Sequence, residues 1–411
     1  MTNLPQGWEW KSLGEICFIT DGTHKTPNYI ETGIPFLSVK NISKGFFDLS
    51  DVKYISLEEH NKLIKRAKPE FGDILICRIG TLGKAIKISL EFEFSIFVSL
   101  GLLKPKVKII SDYLVYFLNS CFIEEWINDN KVGGGTHTAK LNLNILEKCP
   151  IALPPLKEQE RIVGILDENF AKIDENIKIL EQDLLNLDEL MQSALQKAFN
   201  PLKDNAKENY KLPQGWEWKS LGEIANTSSG GTPSRNKKEY WENGNIKWLK
   251  SGELNDGYID FIEENITEEA IKNSSAKIFQ KGTLLIAMYG ATAGKLGILN
   301  LDSTTNQAIC AFLHKDKNIK FLEKFLFYFL FFLRDKIIKD SFGGAQPNIN
   351  QTYIKNLQIP LPPIKEQEQI ASHLDELSSH VKNLKQNYQA QIKDLQELKN
   401  SLLDKAFKGN L

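Results

Sequence analysis

This chain is written twice, and any fold it adopts must accommodate that repetition. Residues 4–16 and 212–224 carry the same segment, LPQGWEWKSLGEI, identical over thirteen residues at an offset of 208. At the same offset LPPLKEQERIVGILDE from Leu153 matches LPPIKEQEQIASHLDE from Leu361, and Lys197-Ala198-Phe199 matches Lys405-Ala406-Phe407. Between these shared segments the copies diverge. Residues 17–150 and 225–358 share little beyond a Gly-Asp-Ile-Leu-Ile / Gly-Thr-Leu-Leu-Ile strand (72–76 and 282–286) and a Tyr-Phe-Leu patch (116–118 and 328–330). Drift after a duplication would erode both parts of each copy alike. A constant framework around replaced interiors instead suits a fixed scaffold holding two recognition units with different targets.

Each copy has the same order: a Trp-containing opening segment, a globular block, then a long helix. Ile34–Val39, Asp73–Arg78, Ile86–Leu90 and Leu284–Tyr289 read as strands, because they are β-branched or aromatic and bounded by Gly. Asp112–Asn128 and Ile319–Ile338 have helical apolar spacing. The expected class is α/β (α+β) blocks in two copies, joined by two long helices that form an antiparallel coiled coil with a pseudo-two-fold repeat. The expected boundaries are a first block at 1–152, a first helix and linker at 153–210, a second block at 211–360 and a second helix at 361–411.

After Pro154-Pro155 the pattern changes. Proline is tolerated in a first helical turn, and Glu158 and Glu160 complement the positive end of the helix dipole. Apolar or small residues then fall at Val163, Leu166, Phe170, Ile173, Ile177, Leu180, Leu184, Leu187, Met191, Ala194 and Ala198, in alternating steps of three and four. Asn200-Pro201 stops the run. The second copy repeats it at Ile370, Leu374, Leu377, Val381, Leu384 and Tyr388, stutters at Ile392, and continues through Leu395, Leu398, Leu402 and Ala406. A helix of about 40 residues is about 60 Å long, too long for its own block to cover. The seam needs a partner helix, either from the other copy or from a second chain in a homodimer.

Composition permits nucleic-acid binding without demanding it. The chain carries a formal charge of −1, yet residues 1–152 carry +1, 153–210 carry −5, 211–360 carry +3 and 361–411 are neutral. The acidic surplus lies between two slightly basic blocks. Cys17, Cys77, Cys121, Cys149 and Cys310 are scattered with no Cys-x-x-Cys pair, as expected of free, mostly buried thiols in a reducing compartment. The amino terminus shows no basic stretch followed by an apolar run. The most apolar segment, Phe325–Leu333, is far shorter than the roughly 20 residues of a membrane span. A cytoplasmic protein is expected.

The Leu-Pro-x-Gly-Trp opening, the Leu-Pro-Pro-x-x-Glu-Gln helix start and the duplicated block–helix order resemble the specificity subunit of type I restriction–modification enzymes. The resemblance covers essentially the whole chain. It implies two target recognition domains, each reading one half of a split double-stranded DNA site, with helices that set the spacer and dock methyltransferase subunits, two per chain. It also implies a non-catalytic chain, with S-adenosylmethionine held by the methyltransferase partner. A restriction/translocase subunit is a further partner that the sequence leaves open.

The residues themselves offer little enzyme chemistry. Gly290-Ala-Thr-Ala-Gly294-Lys295 has three residues between its glycines where a phosphate-binding loop has four, and Leu296 stands where a Mg²⁺-holding hydroxyl would be. Gly80-Thr-Leu-Gly83-Lys84 is shorter still, and a hairpin turn is the better assignment for both. An Asn/Asp-Pro-Pro-aromatic methyltransferase motif is missing, as is a Gly-rich cofactor loop. His24, His60, His137, His314, His373 and His380 form no metal-ligand spacing with the cysteines, so no metal is expected.

Base reading calls for Arg, Lys, Asn, Gln, Ser or Thr on loops that differ between the copies. In the first block the candidates are Thr23, His24, Lys25, Arg78, Lys84, His137 and Lys140. In the second they are Ser229, Thr232, Arg235, Lys237, Lys250, Lys295, Gln346 and Asn348. Trp8, Trp10, Trp216 and Trp218 are the same in both copies, so they suit packing of block on scaffold better than selection of different targets. The alternatives are a coiled-coil structural adaptor, a homodimerising DNA-binding protein without a methyltransferase partner, and a fused nuclease or nucleotide hydrolase.

Overall fold

The computed structural model describes residues 4–134, 139–199, 212–315, 320–341, 348–408 and 411. Two compact units emerge: residues 1–181 with 389–411, and residues 182–388. The boundaries fall within the long helices, so each unit holds one block and parts of both helices.

In the first unit the opening strand Glu9–Ser12 pairs antiparallel with Pro150–Leu153, the strand that leads into the first long helix, with Trp10 opposite Ala152. The main sheet has four antiparallel strands in the order Cys17–Asp21, Leu100–Pro105, Ile74–Cys77, Ala85–Lys87. A three-stranded sheet, Lys53–Ile55, Ile34–Leu37, Ser95–Ile96, packs beside it. The unbroken apolar run Ile74–Cys77 explains the layering, because successive strand side chains point to opposite faces. Ile74 and Ile76 join the core under the helices, with Tyr113, Phe117, Ile123 and Ile127. Leu75 and Cys77 join the core under the smaller sheet, with Leu37, Phe94 and Ile96.

The helix expected over 112–128 is two helices, Ser111–Leu118 and Cys121–Asn130. The break has a chemical cause. The Asn119 amide donates to the carbonyl of Ala85 at 2.8 Å and accepts from its N–H at 3.1 Å, and Ser120 Oγ donates to Phe117 O at 2.7 Å. Asn119 thus serves an edge strand instead of continuing the helix.

The second unit repeats the plan with different numbers. Glu217–Ser220 pairs with Gln358–Leu361. A five-stranded sheet runs Ala225–Ser229, Ile309–His314, Leu284–Ala287, Leu296–Leu299, Gly257–Ile259, beside a four-stranded sheet, Asn265–Ile266, Ile246–Leu249, Ser303–Thr305, Ile278–Phe279. The same parity rule applies: Leu284 and Ile286 face the helix core, Leu285 and Ala287 the other. Here a single helix, Glu323–Lys339, covers the sheet. It begins four residues later than the spacing predicts.

The long helices span Leu156–Phe199 and Ile364–Phe407, 44 residues each. Within the first unit they run antiparallel: Arg161 Nη2 donates to Leu411 O at 3.1 Å, while Asp174 meets Lys399. Within the second unit Asp188 meets Lys385. Along the seam Leu166, Ile173, Leu187, Leu374 and Val381 are buried, while Phe170, Ile177, Leu180, Leu184, Leu377, Leu395 and Leu402 are half-buried. Leu384 is 39% exposed. Two helices alone cannot cover both flanks of a seam, so burial falls away from the blocks.

Each unit's core is closed by the end of the helix that belongs, in sequence, to the other copy. Phe407 lies 5.6 Å from Tyr113 and 4.9 Å from Phe117 between ring centroids. Phe199 lies 5.3 Å from Phe325 and 5.6 Å from Phe329. The repeated Lys-Ala-Phe is therefore an anchor. All five cysteines are free, and burial pushes the thiols of Cys17, Cys77, Cys149 and Cys310 up to about 12. Among the described residues no helix is long and apolar enough to cross a membrane.

Candidate nucleic-acid interface

In both blocks the central hairpin sets the geometry. In the first, Cys77 N donates to Lys84 O at 2.8 Å and Gly83 N to Cys77 O at 2.9 Å. In the second, Ala287 N donates to Lys295 O and Gly294 N to Ala287 O, both at 2.8 Å. Gly80, Gly83, Gly290 and Gly294 all have φ between 79° and 87°, which only glycine adopts without strain. A strand follows each turn, Ala85–Lys87 or Leu296–Leu299. These are hairpin turns and not phosphate loops, which would open a helix.

The structure brings Thr23, Arg78 and Lys140, described candidates from three separate segments of the first block, to one end of the block. Leu141 N donates to Arg78 O at 2.9 Å, and Lys140 bridges both Ile79 and Val132. The loop after Cys17–Asp21 is tied in by Thr23 N, which donates to Ile96 O at 3.1 Å, and by the bridge from Thr23 to Phe97. Asp21, buried to 1% exposure, holds this end. Arg66 and Arg78 both pair with it, and His24 Nε2 lies 3.1 Å from Oδ2. Burial works to raise the Asp21 pKa, but the hydrogen bonds and charges of the two arginines outweigh it and hold the carboxyl below its ordinary value.

This arrangement corrects one expectation. Arg78 is only 8% exposed, and its guanidinium is taken up by Asp21 and, at 2.9 Å, by Leu141 O. It is an internal strut and not a base-reading group: a buried guanidinium without its carboxylate would be costly. Lys25 and Lys140 are exposed, and the Thr23 hydroxyl accepts from Lys25 N at 3.2 Å within its own loop. Lys84 is half-buried beside Gly45. Arg66, half exposed on Asp21, is a surface arginine that the sequence analysis missed. Its signal was the basic run Lys62, Lys65, Arg66, Lys68 on an otherwise polar segment.

In the second block the corresponding place is uncharged. Gln351 donates to Ser229 Oγ and accepts from Thr227 Oγ1 at 2.9 Å. Met288 occupies the place of Arg78: its N–H meets Ala308 O at 2.7 Å as Arg78 N meets Ser99 O at 2.8 Å, and its carbonyl accepts from Ile349 N at 2.7 Å. Asn348 bridges Tyr289, Thr232 meets Gln307, and Lys295 is exposed on the hairpin. To one side Arg235 and Lys250 share Glu264, at 2.7 and 2.8 Å, and Lys237 Nζ donates to Tyr240 Oη at 2.9 Å. Burial raises the Glu264 pKa, but Arg235 and Lys250 prevail and keep it below its usual value. His137 and Gln346 lie outside the described residues.

Of the tryptophans, Trp8 and Trp10 pack against the first core, with Trp10 5.6 Å from Phe122. Trp218 differs. The unbroken helix of the second block places Phe332 and Leu333 beside it in an open groove, and it stays 49% exposed.

The framework contacts, by contrast, are duplicated. Gln159 and Gln367, each 1% exposed, donate to Pro154 O and Pro362 O at 2.9 Å. They accept from Ile110 N at 2.9 Å and Leu322 N at 2.8 Å. Tyr116 reaches Asp167 as Tyr328 reaches Asp375, so the Tyr-Phe-Leu patch meets the Leu-Asp-Glu of the shared helix start.

The chain is 27% identical over 433 residues to the type I restriction enzyme StySPI specificity subunit of Salmonella potsdam, covering 99% of this chain and 90% of that one. It is 26% identical over 434 residues to the EcoKI specificity subunit of Escherichia coli K12, covering 99% and 90%. Among solved structures, the HsdS subunit from Thermoanaerobacter tengcongensis aligns over 100% of this chain and 99% of its own with a TM-score of 0.60 at 23% identity. A chain from work on assembly and conformational transition of the type I R-M system aligns over 100% of both chains, with a TM-score of 0.80 at 24% identity. The type I restriction modification DNA specificity domain matches residues 5–183 and again 213–394, and the chain belongs to that family, with two copies of its domain in tandem.

Proposed function

We propose that this chain is the DNA-reading, non-catalytic subunit of a type I restriction–modification complex, in which each block reads one half of a bipartite double-stranded site. The long helices set the distance between the halves and dock methyltransferase subunits, two per chain. S-adenosylmethionine and the catalytic residues belong to those partners, and the complex works in the cytoplasm.

One observation carries this reading. The duplicated residues make the same contacts in both units, Gln159 as Gln367 and Tyr116 as Tyr328, while the loop ends differ in chemistry. An Asp21–Arg66–Arg78 charge cluster in one block stands where Ser229–Gln351 stands in the other. Two constant mounts with two different reading ends are what a bipartite asymmetric site requires.

The test is a block exchange. With residues 225–358 replaced by the corresponding block of a relative and the chain co-expressed with its methyltransferase, the methylated sites of the host genome are sequenced. One half of the recognised sequence changes, and the other half and the spacing persist. A change in both halves refutes independent reading. Purified chain alone, incubated with labelled methyl donor and DNA, incorporates no label.

A further inference from the structure

We propose that Arg235 is a specificity-determining residue that reads a guanine in the half-site of the second block. This rests on the reading above and adds a particular side chain and a particular base. Arg235 sits in a corner formed by two tryptophans. Its guanidinium carbon is 3.7 Å from the centroid of Trp241 and 4.8 Å from that of Trp248. The two rings meet edge to face, 5.0 Å apart at 88°. Stacking on an aromatic face leaves the in-plane N–H donors of an arginine unobstructed.

The corner is itself fixed. Trp241 Nε1 donates to Ser234 O at 3.1 Å and Trp248 Nε1 to Gly231 O at 2.9 Å, so both indoles pin the loop that carries Arg235. Glu264 takes Nη1 of Arg235 at 2.7 Å and is held from its other oxygen by Lys250 at 2.8 Å. One donor is thereby engaged and the rotamer set, while the side chain remains 51% exposed. A planar fork held in one orientation on a half-exposed side chain suits bidentate bonding to the O6 and N7 of guanine.

Geometry separates base from phosphate as the target. Glu264 is shared by Arg235 and Lys250, so the cluster keeps one net positive charge and charge alone does not choose between them. A guanidinium plane held by Trp241 and Glu264 matches the two in-plane acceptors on one guanine edge. Exposed Lys295, on the hairpin, has the simpler surroundings of a phosphate contact. In the first block Phe36 stands in the place of Trp248 with Tyr29 beside it, ring centroids 6.0 Å apart, but the corresponding loop carries Thr23, His24 and Lys25 and no arginine.

The experiment uses the full chain with its methyltransferase and begins from the wild-type methylome, which defines the two half-sites. Duplexes are then made with each guanine of the second half-site replaced in turn by 7-deazaguanine, which lacks the N7 acceptor. At one position wild-type binding falls about tenfold or more, and the Arg235→Ala complex, already weakened on the natural site, shows no further loss there. Arg235→Lys keeps the charge but not the fork, and behaves as Arg235→Ala at that position with the first half-site unchanged. Circular dichroism of both variants confirms a folded chain. A second half-site without guanine, an Arg235→Lys variant with wild-type specificity, or equal sensitivity of wild type and Arg235→Ala to every substitution overturns the proposal. None of these outcomes disturbs the bipartite reading, which fails instead if the wild-type methylome is not bipartite.

Discussion

The side chain of Gln159 accepts a hydrogen bond from the backbone N–H of Ile110 at 2.9 Å, joining the first long helix to the segment that enters Ser111–Leu118. Its amide also donates to Pro154 O at 2.9 Å. A glutamine one turn after Pro-Pro is therefore a two-sided joint. Gln159→Ala leaves the Ile110 N–H without its partner and costs about 1–3 kcal/mol. Gln367→Ala costs a similar amount through Leu322. Urea unfolding of the two variants checks both the magnitude and the near-equality.

Phe407 and Phe199 close the cores of different units. Phe407→Ala loosens the first, with loss of amide protection around Tyr113–Phe117, and Phe199→Ala loosens the second around Phe325–Phe329. Each removes about 3–5 kcal/mol from its own unit. Hydrogen exchange by mass spectrometry distinguishes this from a single global effect, in which both variants would lose protection everywhere.

Asp21 has its folded pKa lowered by Arg66 and Arg78 against the opposing effect of burial. Its contribution to stability is therefore complete above the unfolded value of about 3.9 and is lost as pH falls through the folded value. Asp21→Asn destabilises the first unit at pH 7 by about 3 kcal/mol, because it strands the buried Arg78 charge. The gap between variant and wild type narrows below about pH 4. Thermal melts from pH 7 to pH 3 measure it; a gap that widens on acidification contradicts the assignment.

Gly22 and Gly230 occupy the same place in the two copies, where the loop after the first strand of the main sheet passes close over a neighbouring strand. A Cβ there would lie 2.0 Å from Ile96 O in the first block and 2.0 Å from Thr305 O in the second. Gly22→Ala displaces the loop of Thr23, His24 and Lys25, and Gly230→Ala the loop of Thr232 and Arg235. Each variant weakens discrimination in its own half-site by about tenfold or more, read by binding to duplexes mismatched in one half at a time.

Much of this was legible in the sequence because repetition and heptad spacing are periodic properties of the chain. The two long helices and the α/β blocks follow from where apolar residues recur, whereas the seam called for a partner helix and left its source open between the other copy and a second chain. The Gly80–Lys84 and Gly290–Lys295 turns read as hairpins because their spacing could not cradle a phosphate. The site was less legible. Arg78 looked like a presented cation, since its value depends on Asp21, 57 residues away in the chain. Arg66 passed unnoticed for the same reason. Arg235 was a candidate by type alone, and what distinguishes it are Trp241, Trp248 and Glu264.

The sequence by itself determined the architecture of this protein: two mounts built from the same residues, two different interiors and two long helices whose seams need a partner. Those are consequences of residue order and period, which survive without knowledge of any contact. Only the tertiary structure decided which polar side chains face water and which are internal. An arginine is exposed or buried according to the carboxylates and rings that distant segments place around it. The same residue type is a strut at position 78 and a presented fork at position 235, because Asp21 lies inside the fold and Glu264 at its surface.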